Sequence, residues 1–332
     1  MAEFPAKRLR RLRYNPTLRR MLAGVRLSPL DLIAPLFVRS GSGVRKAIAS
    51  MPGQFQHSPD SALETVRRWS DAALPAVLLF GIPDSKDASG SSAWDGAGPV
   101  QTLVGLLKAK LPDVLVITDA CLCEYTDHGH CGVVVGCGEG GADIDNDATL
   151  EALAKVALSH ARAGADVVAP SAMMDGQVAA IRKALDAEGF LKTAILSYAV
   201  KFASSFYGPF RDAAQSRPQF GDRQSHQLDF ASSRGVVSEA LSDIDEGADM
   251  VMVKPALPYL DVIAELRRRT DLPIAAYQVS GEYASIQAAA RAGWLEERAA
   301  AMEAAVAIKR AGADLIVTYF AEQLAGWLAE GH

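Results

Sequence analysis

The chain alternates between short apolar runs and longer segments in which hydrophobic residues recur at helical spacing. The short runs are rich in β-branched residues and predict buried strands. They lie at about residues 31–38, 75–81, 113–119, 165–169, 193–198, 249–253, 273–279 and 313–319. The segments with helical spacing lie at 149–163, 177–188, 259–270, 302–311 and 321–330. Either Asp145 or Asp147 is placed to cap the first of these helices.

A glycine marks the point where three predicted helices stop and the next strand begins. Ala-Gly-Ala-Asp occurs at 163–166 and at 311–314, and Gly247-Ala-Asp249 is a shorter version. Glycine is typical of this position after a helix. Eight strand–helix units predict an α/β protein with a (β/α)8 TIM barrel. A doubly wound open sheet is the alternative, although no G-x-G-x-x-G dinucleotide signature follows a predicted strand.

Composition restricts the class of protein further. The chain is 49% hydrophobic and 22% charged, which is typical of globular proteins. No apolar run reaches the roughly 18 residues of a membrane span. The net charge of −5 gives no overall attraction to nucleic acid. Four cysteines do not form a secreted disulfide framework, and no signal peptide is apparent. We therefore expect a cytoplasmic protein that binds neither membranes nor nucleic acid.

The amino-terminal segment is rich in arginine and poor in acidic residues. A transit peptide or a nucleic-acid-binding arm would have this composition. Asn15, Pro16 and a regular spacing of leucines instead favour a partly ordered arm that packs on a neighbouring subunit. The leucines are Leu9, Leu12, Leu18 and Leu22. We expect an arm for subunit contacts over residues 1–30 and a catalytic barrel over residues 31–332.

Three of the four cysteines, Cys121, Cys123 and Cys131, lie within eleven residues just after the third apolar run. Thiolates select zinc over magnesium or calcium. Three protein ligands leave the fourth tetrahedral position open, so the spacing predicts a catalytic zinc with an exogenous fourth ligand. Buried free cysteines are one alternative, and a structural zinc closed by Cys137 or a histidine is another. A disulfide is less favoured by this spacing and composition.

Polar residues follow most of the predicted strands, and in a barrel these strand ends meet on one face. They are Asp119, Ser171, Lys201, Lys254, Ser280 and Tyr319. Lys254 follows the uncharged run 250–253, so its side chain begins in the core. Burial and a second ammonium group at Lys201 would both lower the pKa of Lys254. A neutral amine there predicts a nucleophile that forms a Schiff base with a ketone. A lysine that reaches solvent at the barrel rim is the alternative.

Residues 202–227 form a long segment that mixes glycine, proline, aromatic residues and arginine. Long irregular loops inside compact domains are usually lids or binding loops. We expect a lid that orders on substrate binding. Arg211 and Arg223 could clamp a carboxylate, and solvated surface charges are the alternative.

Together these motifs resemble the porphobilinogen synthases, also called 5-aminolaevulinate dehydratases, from about Arg8 to Trp327. The motifs are D-x-C-x-C-x-Y-T-x-H-G-H-C at 119–131, A-P-S-x-x-M-D-G at 169–176, K-F-A-S-x-F-Y-G-P-F-R at 201–211, M-V-K-P at 252–255, Y-x-V-S-G-E at 277–282 and R-R-L-R-x-N-P at 10–16. The resemblance implies a barrel with an arm, assembled as a homo-octamer. It also implies condensation of two 5-aminolaevulinate molecules into porphobilinogen with loss of two waters, a step of tetrapyrrole synthesis.

The resemblance further implies a role for each matching residue. Lys254 and Lys201 would each hold one substrate as a Schiff base, and Asp119 would lie near the reacting amino group. The implied substrate-binding residues are Arg211, Arg223, Gln227, Ser280, Tyr319, Tyr207 and Ser171. The three cysteines match the branch that uses Zn²⁺. Glu239 matches a glutamate that binds an allosteric Mg²⁺ in many bacterial members, and we expect it to lie away from the strand ends.

The chain departs from the family pattern at a few positions. His226 stands where the family carries tyrosine, and Ala172 replaces an aspartate of some animal forms. The segment 135–141 is rich in glycine, so Cys137 inherits no role. Two other functions remain open from the residues alone. A class I aldolase would need one lysine and no thiolate zinc, and a zinc-dependent sensor protein would need a closed metal site.

Overall fold

The computed structural model describes residues 8–138 and 141–330, with only the backbone described at 137, 138, 141 and 142. In these ranges the strands are β1 (Leu32–Arg39), β2 (Arg45–Ala47), β3 (Phe55–His57), β4 (Ala76–Ile82), β5 (Leu115–Ala120), β6 (Val133–Gly138), β7 (Gly141–Asp145), β8 (Val167–Pro170), β9 (Ala194–Lys201), β10 (Met250–Lys254), β11 (Ile274–Gln278) and β12 (Leu315–Thr318). Eight of them pair in parallel in the order β1-β4-β5-β8-β9-β10-β11-β12, and β12 pairs with β1. The sheet is therefore closed, which confirms the predicted barrel and excludes the open sheet.

The helices of the described ranges are α1 (Pro16–Met21), α2 (Pro59–Asp71), α3 (Pro99–Lys110), α4 (Asn146–Ala163), α5 (Gln177–Ala187), α6 (Gly208–Ala213), α7 (Val236–Asp245), α8 (Leu260–Arg267), α9 (Ser280–Arg291), α10 (Glu297–Ala311) and α11 (Ala321–Ala329). Short 3-10 segments lie at Leu9–Leu12, Pro29–Asp31, Ser91–Trp94, Ser205–Tyr207 and Leu257–Tyr259. The five predicted helices are present, with boundaries shifted by up to five residues. Asp145, not Asp147, caps α4, because its carboxylate accepts from the N–H of Ala148 at 3.0 Å.

The barrel strands are apolar because both of their faces are covered. Every residue of β4 is buried, since side chains of the barrel interior cover one face and helices cover the other. Aromatic rings fill the interior towards the carboxyl ends of the strands. The ring centroids of Phe37 and Phe80 are 5.6 Å apart, and those of Tyr277 and Tyr319 are 6.1 Å apart. The barrel is thus a packed core and not a pore.

The amino-terminal end of the barrel contains one repeated hydrogen-bond pattern. An aspartate just before a strand bonds twice to one residue of the preceding strand. Its N–H donates to the carbonyl of that residue, and its carboxylate accepts from the N–H of that residue. The pairs are Asp166 with Val116, Asp249 with Ile195 and Asp314 with Ile274, each with a carboxylate-to-nitrogen distance of 2.8 Å. The glycines that end the preceding helices have positive φ: Gly164 at 104°, Gly247 at 104° and Gly312 at 121°. The glycine thus reverses the chain, and the aspartate fixes the first pairing of the next strand.

The pairing of β9 with β10 contains a bulge. Val251 lies opposite Ser197, but Val253 lies opposite Val200, so β9 has one more residue than β10 over this stretch. The pairing then continues, with Lys254 opposite Lys201 at the carboxyl ends of the two strands.

The regions outside the barrel are smaller and less regular. In the described part of the predicted arm, α1 contains no buried residue, and Leu9 and Leu12 are 60% and 56% exposed. The division at residue 30 and the packing of the arm on another subunit stay predictions. The antiparallel hairpins β2–β3 and β6–β7 were not predicted. Among the described residues, the helices are too short or too polar to cross a membrane.

Candidate active site

Two buried lysines end neighbouring strands at the carboxyl face of the barrel. Lys201 is the last residue of β9, and Lys254 is the last residue of β10. Because the two residues are paired in register, their side chains leave the sheet side by side. Only 4% of Lys201 and 5% of Lys254 is exposed. The structure therefore confirms that both lysines lie at one face and excludes solvated lysines at the rim.

Aromatic rings surround the amine of Lys254. Its Nζ lies 4.5 Å from the ring centroid of Tyr277, 5.0 Å from that of Tyr198, 5.1 Å from that of Phe210 and 5.3 Å from that of Tyr207. Burial in this setting lowers the pKa of Lys254 to about 7, and the positive charge of Lys201 acts in the same direction. A substantial fraction of this amine is therefore neutral and nucleophilic near pH 7.

The second lysine is joined to a buried carboxyl group through a serine. The ammonium of Lys201 donates to the carbonyl oxygen of Ser171 at 2.5 Å, and the Ser171 hydroxyl donates to Oδ2 of Asp119 at 3.1 Å. The other oxygen of Asp119, Oδ1, has no hydrogen-bond partner among the described residues. Burial, followed by the charge of Glu124, raises the pKa of Asp119 to about 8. This carboxyl group can therefore hold or release a proton at neutral pH.

The three predicted zinc ligands converge in the loop that follows β5. The sulfur atoms of Cys121, Cys123 and Cys131 lie within 4.8 Å of one another, and those of Cys121 and Cys123 are 3.5 Å apart. Three sulfurs bound to one zinc at the usual length are separated by roughly 3.8 Å, so the cluster fits such an ion. Hydrogen bonds from the other two thiols, together with Arg223, lower the pKa of Cys131. The cluster thus favours at least one thiolate, which is the ligating form.

The residues considered for a closed metal site lie elsewhere or are not described. Nε2 of His130 lies 2.9 Å from the carbonyl oxygen of Phe220, and Nε2 of His128 lies 3.2 Å from that of Ala88. Both rings therefore contact backbone and hold neighbouring loops together. The side chain of Cys137 lies outside the described residues.

Glu124 is also buried at this site, with 3% of its surface exposed, and was not predicted to belong to it. Its Oε2 lies 3.3 Å from the sulfur of Cys123, and its carboxylate forms a second group of potential ligand atoms with Asp119 and Cys121. Burial, followed by the charge of Cys123, raises the pKa of Glu124 to about 8. Its only sequence signal was its place inside the cysteine motif, because a glutamate in a loop is ordinarily exposed.

The predicted lid is more ordered than its composition indicated. The 3-10 turn Ser205–Tyr207 and helix α6 occupy its first half, while most of the rest is irregular. The lid covers a cavity of about 510 Å³ whose lining includes Phe206, Arg211, Arg223, Gln227 and Tyr259. Whether the lid orders on binding stays a prediction.

Four polar side-chain atoms in this cavity wall lack partners within the described part of the chain. Arg223 is 5% exposed, and its Nη2 donates to the carbonyls of Gly129 and Ser216 at 2.8 Å each. The Nε atoms of Arg211 and Arg223 and both amide atoms of Gln227 are buried without a hydrogen-bond partner. Two guanidinium groups and an amide so arranged suit a carboxylate ligand.

The other predicted substrate-binding hydroxyls lie apart from this arginine cavity. The Ser280 hydroxyl accepts from the N–H of Phe210 at 2.9 Å and donates to the carbonyl of Phe206 at 3.3 Å. The hydroxyl of Tyr319 lies 2.9 Å from that of Tyr277. Tyr207 donates to the backbone carbonyl of Lys254 at 3.2 Å. The predicted binding residues thus form one group that lines the cavity under the lid and a second group that does not line it.

Glu239 lies closer to this face than expected. It is in the first turn of α7, and it lines cavities together with Met174, Asp175 and Gln227. The expectation that it lies away from the strand ends is wrong, because α7 follows β9 and so begins at the carboxyl face. Burial, followed by the charge of Asp175, raises the pKa of Glu239.

His226 lines the larger of these two cavities, next to Gln227 in the lid. Its Nδ1 lies 3.2 Å from the Ser225 hydroxyl, and its Nε2 has no partner among the described residues. Burial, followed by the charges of Lys201 and Arg223, lowers the pKa of His226 to about 4. The imidazole is therefore neutral at pH 7.

Comparison with known proteins links this geometry to one family. The family model for delta-aminolevulinic acid dehydratase matches residues 6–327. The delta-aminolevulinic acid dehydratase of Methanothermobacter thermautotrophicus is 54% identical over 326 residues, which cover 98% of each chain. That of Synechococcus elongatus is 51% identical, covering 98% of this chain and 100% of the relative. A crystal structure of the Toxoplasma gondii enzyme with its reaction product porphobilinogen has a TM-score of 0.95 at 43% identity, covering 98% of this chain and 92% of the other.

Proposed function

The chain belongs to the delta-aminolevulinic acid dehydratase family, and from that membership we propose that it condenses two molecules of 5-aminolaevulinate into porphobilinogen with loss of two waters. This makes it a hydro-lyase, a porphobilinogen synthase of tetrapyrrole and haem biosynthesis. The observation that carries the proposal is the pair of buried lysines in register beside a cluster of three thiols.

Lys254 is the principal nucleophile in this proposal. Its neutral amine attacks the ketone carbon of one substrate, forming a carbon–nitrogen bond, and the carbonyl oxygen leaves as water to give an imine. The lowered pKa of Lys254 supports this role, because only the unprotonated amine can attack. Lys201 holds the second substrate in the same way. Asp119 exchanges protons with the reacting nitrogen and oxygen atoms. Its burial, which raises its pKa to about 8, supports this role.

The substrate carboxylates would be held by the two separate groups of polar residues. Arg211, Arg223 and Gln227 bind one carboxylate, and their missing hydrogen-bond partners support this assignment. Ser280 and Tyr319 bind the other, with Tyr207 and Ser171 completing the wall. Closure of the lid at 202–227 would then exclude water from the imines.

Two metal ions are part of the proposal. The sulfurs of Cys121, Cys123 and Cys131 would hold Zn²⁺, because soft thiolates match that ion. Zinc bound there would polarise a substrate oxygen or nitrogen. Glu239, beside Asp175, would bind a largely hydrated Mg²⁺ that favours the larger assembly and so raises activity allosterically.

Assembly and location are further proposals from the family. Residues 1–30 would form the arm that contacts neighbouring subunits of a homo-octamer, and residues 31–332 the catalytic barrel. The exposed leucines of the described part of the arm support such contacts. The protein would work in the cytoplasm on a small-molecule substrate.

One experiment separates this function from an aldolase or a zinc sensor. The protein is incubated with 5-aminolaevulinate, pyrrole formation is followed by a colour reaction, and bound metal is counted by mass spectrometry. Borohydride reduction and peptide mapping then locate the imine. Pyrrole formation, an adduct on Lys254 and one zinc per chain at the thiols support the proposal. Absence of a Lys254 adduct in metal-loaded, correctly assembled protein would contradict it.

A further inference from the structure

The amino terminus of α9 contains a buried carboxylate that the proposed mechanism does not use. Glu282 is 3% exposed and has no cationic partner within the described ranges. Its Oε2 accepts from the N–H of Val279 at 2.5 Å, and its Oε1 accepts from the N–H of Leu257 at 2.6 Å. The N–H of Ala256 donates to the same group. Backbone donors alone therefore hold this carboxyl group, and burial raises its pKa to about 7.

These donors come from two loops that follow neighbouring barrel strands. Val279 directly follows β11, and the contact with it completes a capping arrangement at the start of α9. Ala256 and Leu257 lie two and three residues beyond Lys254 in the loop after β10. Capping alone does not require burial, because Glu296 accepts two backbone N–H groups at the start of α10 while exposed. A buried carboxyl group needs contacts that offset the loss of water, and here those contacts come from both loops and tie them together.

The same helix start also holds the lid. The Ser280 hydroxyl bonds to the backbone of both Phe206 and Phe210. At Gly281, an added Cβ atom would lie only 2.5 Å from the carbonyl oxygen of Phe206, so the lid backbone approaches the helix as closely as a glycine allows. Residues 279–282 are therefore in contact with the loop after Lys254 on one side and with the lid on the other.

We propose that Glu282 is a positioning residue for the condensation, one that fixes the loop after Lys254 against the helix start that holds the lid. It touches no reacting atom. By holding Ala256 and Leu257, it keeps the end of β10 in place and the Lys254 amine among its four aromatic rings. This inference rests on the proposed function of Lys254.

The test compares Glu282→Gln with the matched variant Glu296→Gln. Each change neutralises a glutamate that accepts two or more backbone N–H groups at a helix start. For both variants we would measure kcat, KM, the thermal midpoint and the rate at which borohydride with 5-aminolaevulinate traps Lys254. We expect Glu282→Gln to lower kcat and the trapping rate on the order of 10- to 100-fold, because a small displacement of a nucleophile has effects of this size. Its KM should change by less than about threefold, and Glu296→Gln should keep wild-type kinetics.

The outcomes are distinguishable. Wild-type trapping and kcat in Glu282→Gln, with only a lower thermal midpoint, would assign the carboxylate to stability and overturn the inference. If Glu282→Gln does not fold, Glu282→Asp decides, because the shorter side chain keeps the charge but cannot reach both loops. Slow trapping in that variant supports the inference, whereas wild-type trapping or loss of folding overturns it. Failure of the wild-type protein to form any Lys254 adduct would instead contradict the proposed function.

Discussion

The two ends of the barrel satisfy their polar groups differently. At the amino-terminal end, the carboxylates of Asp166, Asp249 and Asp314 each accept a backbone N–H, and two of them also pair with Lys108 or Arg267. At the carboxyl end, Asp119 and Gln227 retain buried atoms without partners in the described part of the chain. The aspartates at one end of these strands are thus satisfied within the fold, whereas polar groups at the other end keep atoms without partners among the described residues. Stability and function can therefore be altered separately at the two ends.

The largest difference in activity should be between substitutions of Lys254 at the carboxyl end and of Lys108 at the amino-terminal end. We expect Lys254→Arg to lower kcat by roughly a thousandfold or more and to remove the borohydride adduct, because a guanidinium stays protonated and forms no imine. Lys108→Met at the opposite end should keep its activity and lose about 1 kcal/mol of unfolding free energy with its partly exposed ion pair. Turnover assays and urea unfolding of both variants make the comparison. An active Lys254→Arg enzyme would show that the amine is not required.

Substitutions of two arginines of the lid should distinguish a residue that binds substrate from one that only carries surface charge. We expect Arg211→Ala to raise KM by about 10- to 100-fold, because a charged hydrogen bond to a substrate carboxylate is lost in ground and transition states alike. Arg217→Ala, which removes an exposed arginine from the same lid, is the control and should change KM by less than about twofold. Steady-state kinetics over a range of 5-aminolaevulinate concentrations measure both. Equal KM values in the two variants would remove Arg211 from the carboxylate site.

The carboxyl end should also respond to pH through Lys254. Because burial lowers the pKa of this amine to about 7, its neutral fraction rises as pH increases and levels off above that value. The initial rate of borohydride trapping should therefore rise roughly tenfold per unit at pH values well below 7 and flatten above it. Lys201→Met removes the positive charge that also lowers the pKa of Lys254. In this variant the midpoint of the trapping rate against pH should therefore move to higher pH. A trapping rate independent of pH between 5 and 9 would contradict this assignment.

The smallest effect on activity should come from the aspartate pattern at the amino end. Asp314→Ala leaves the N–H of Ile274 without its acceptor and removes the ion pair with Arg267. We expect a loss of about 1–2 kcal/mol in unfolding free energy and unchanged kcat. Asp119→Asn should give the opposite result, with activity lost and stability kept, since burial of that charge is unfavourable. If both variants lose activity, or both lose unfolding free energy, then activity and stability do not depend on different ends of the barrel.

Much of the fold could be predicted from the sequence because its signals are local. Strands buried on both faces appear as uninterrupted apolar runs, and glycine followed by alanine and aspartate marks helix ends. Lys254 was predicted from the uncharged run before it. The burial of Glu124 and Glu282 could not be predicted in this way, since it depends on loops distant in sequence. The position of Glu239 depends on the direction of α7, which follows β9 and so begins at the carboxyl face of the barrel.

The bulge in β9 determines which way its side chains face. Tyr198 and Lys201 both reach the barrel interior, although residues three apart on a regular strand point to opposite faces. The extra residue between Ser197 and Val200 shifts the alternation by one position, so both side chains point inward. Deleting Ala199 would reverse that parity and turn the second amine towards the surrounding helices. The carboxyl face of the barrel would then hold one buried amine and not two, so the number of amines there depends on a single residue of β9.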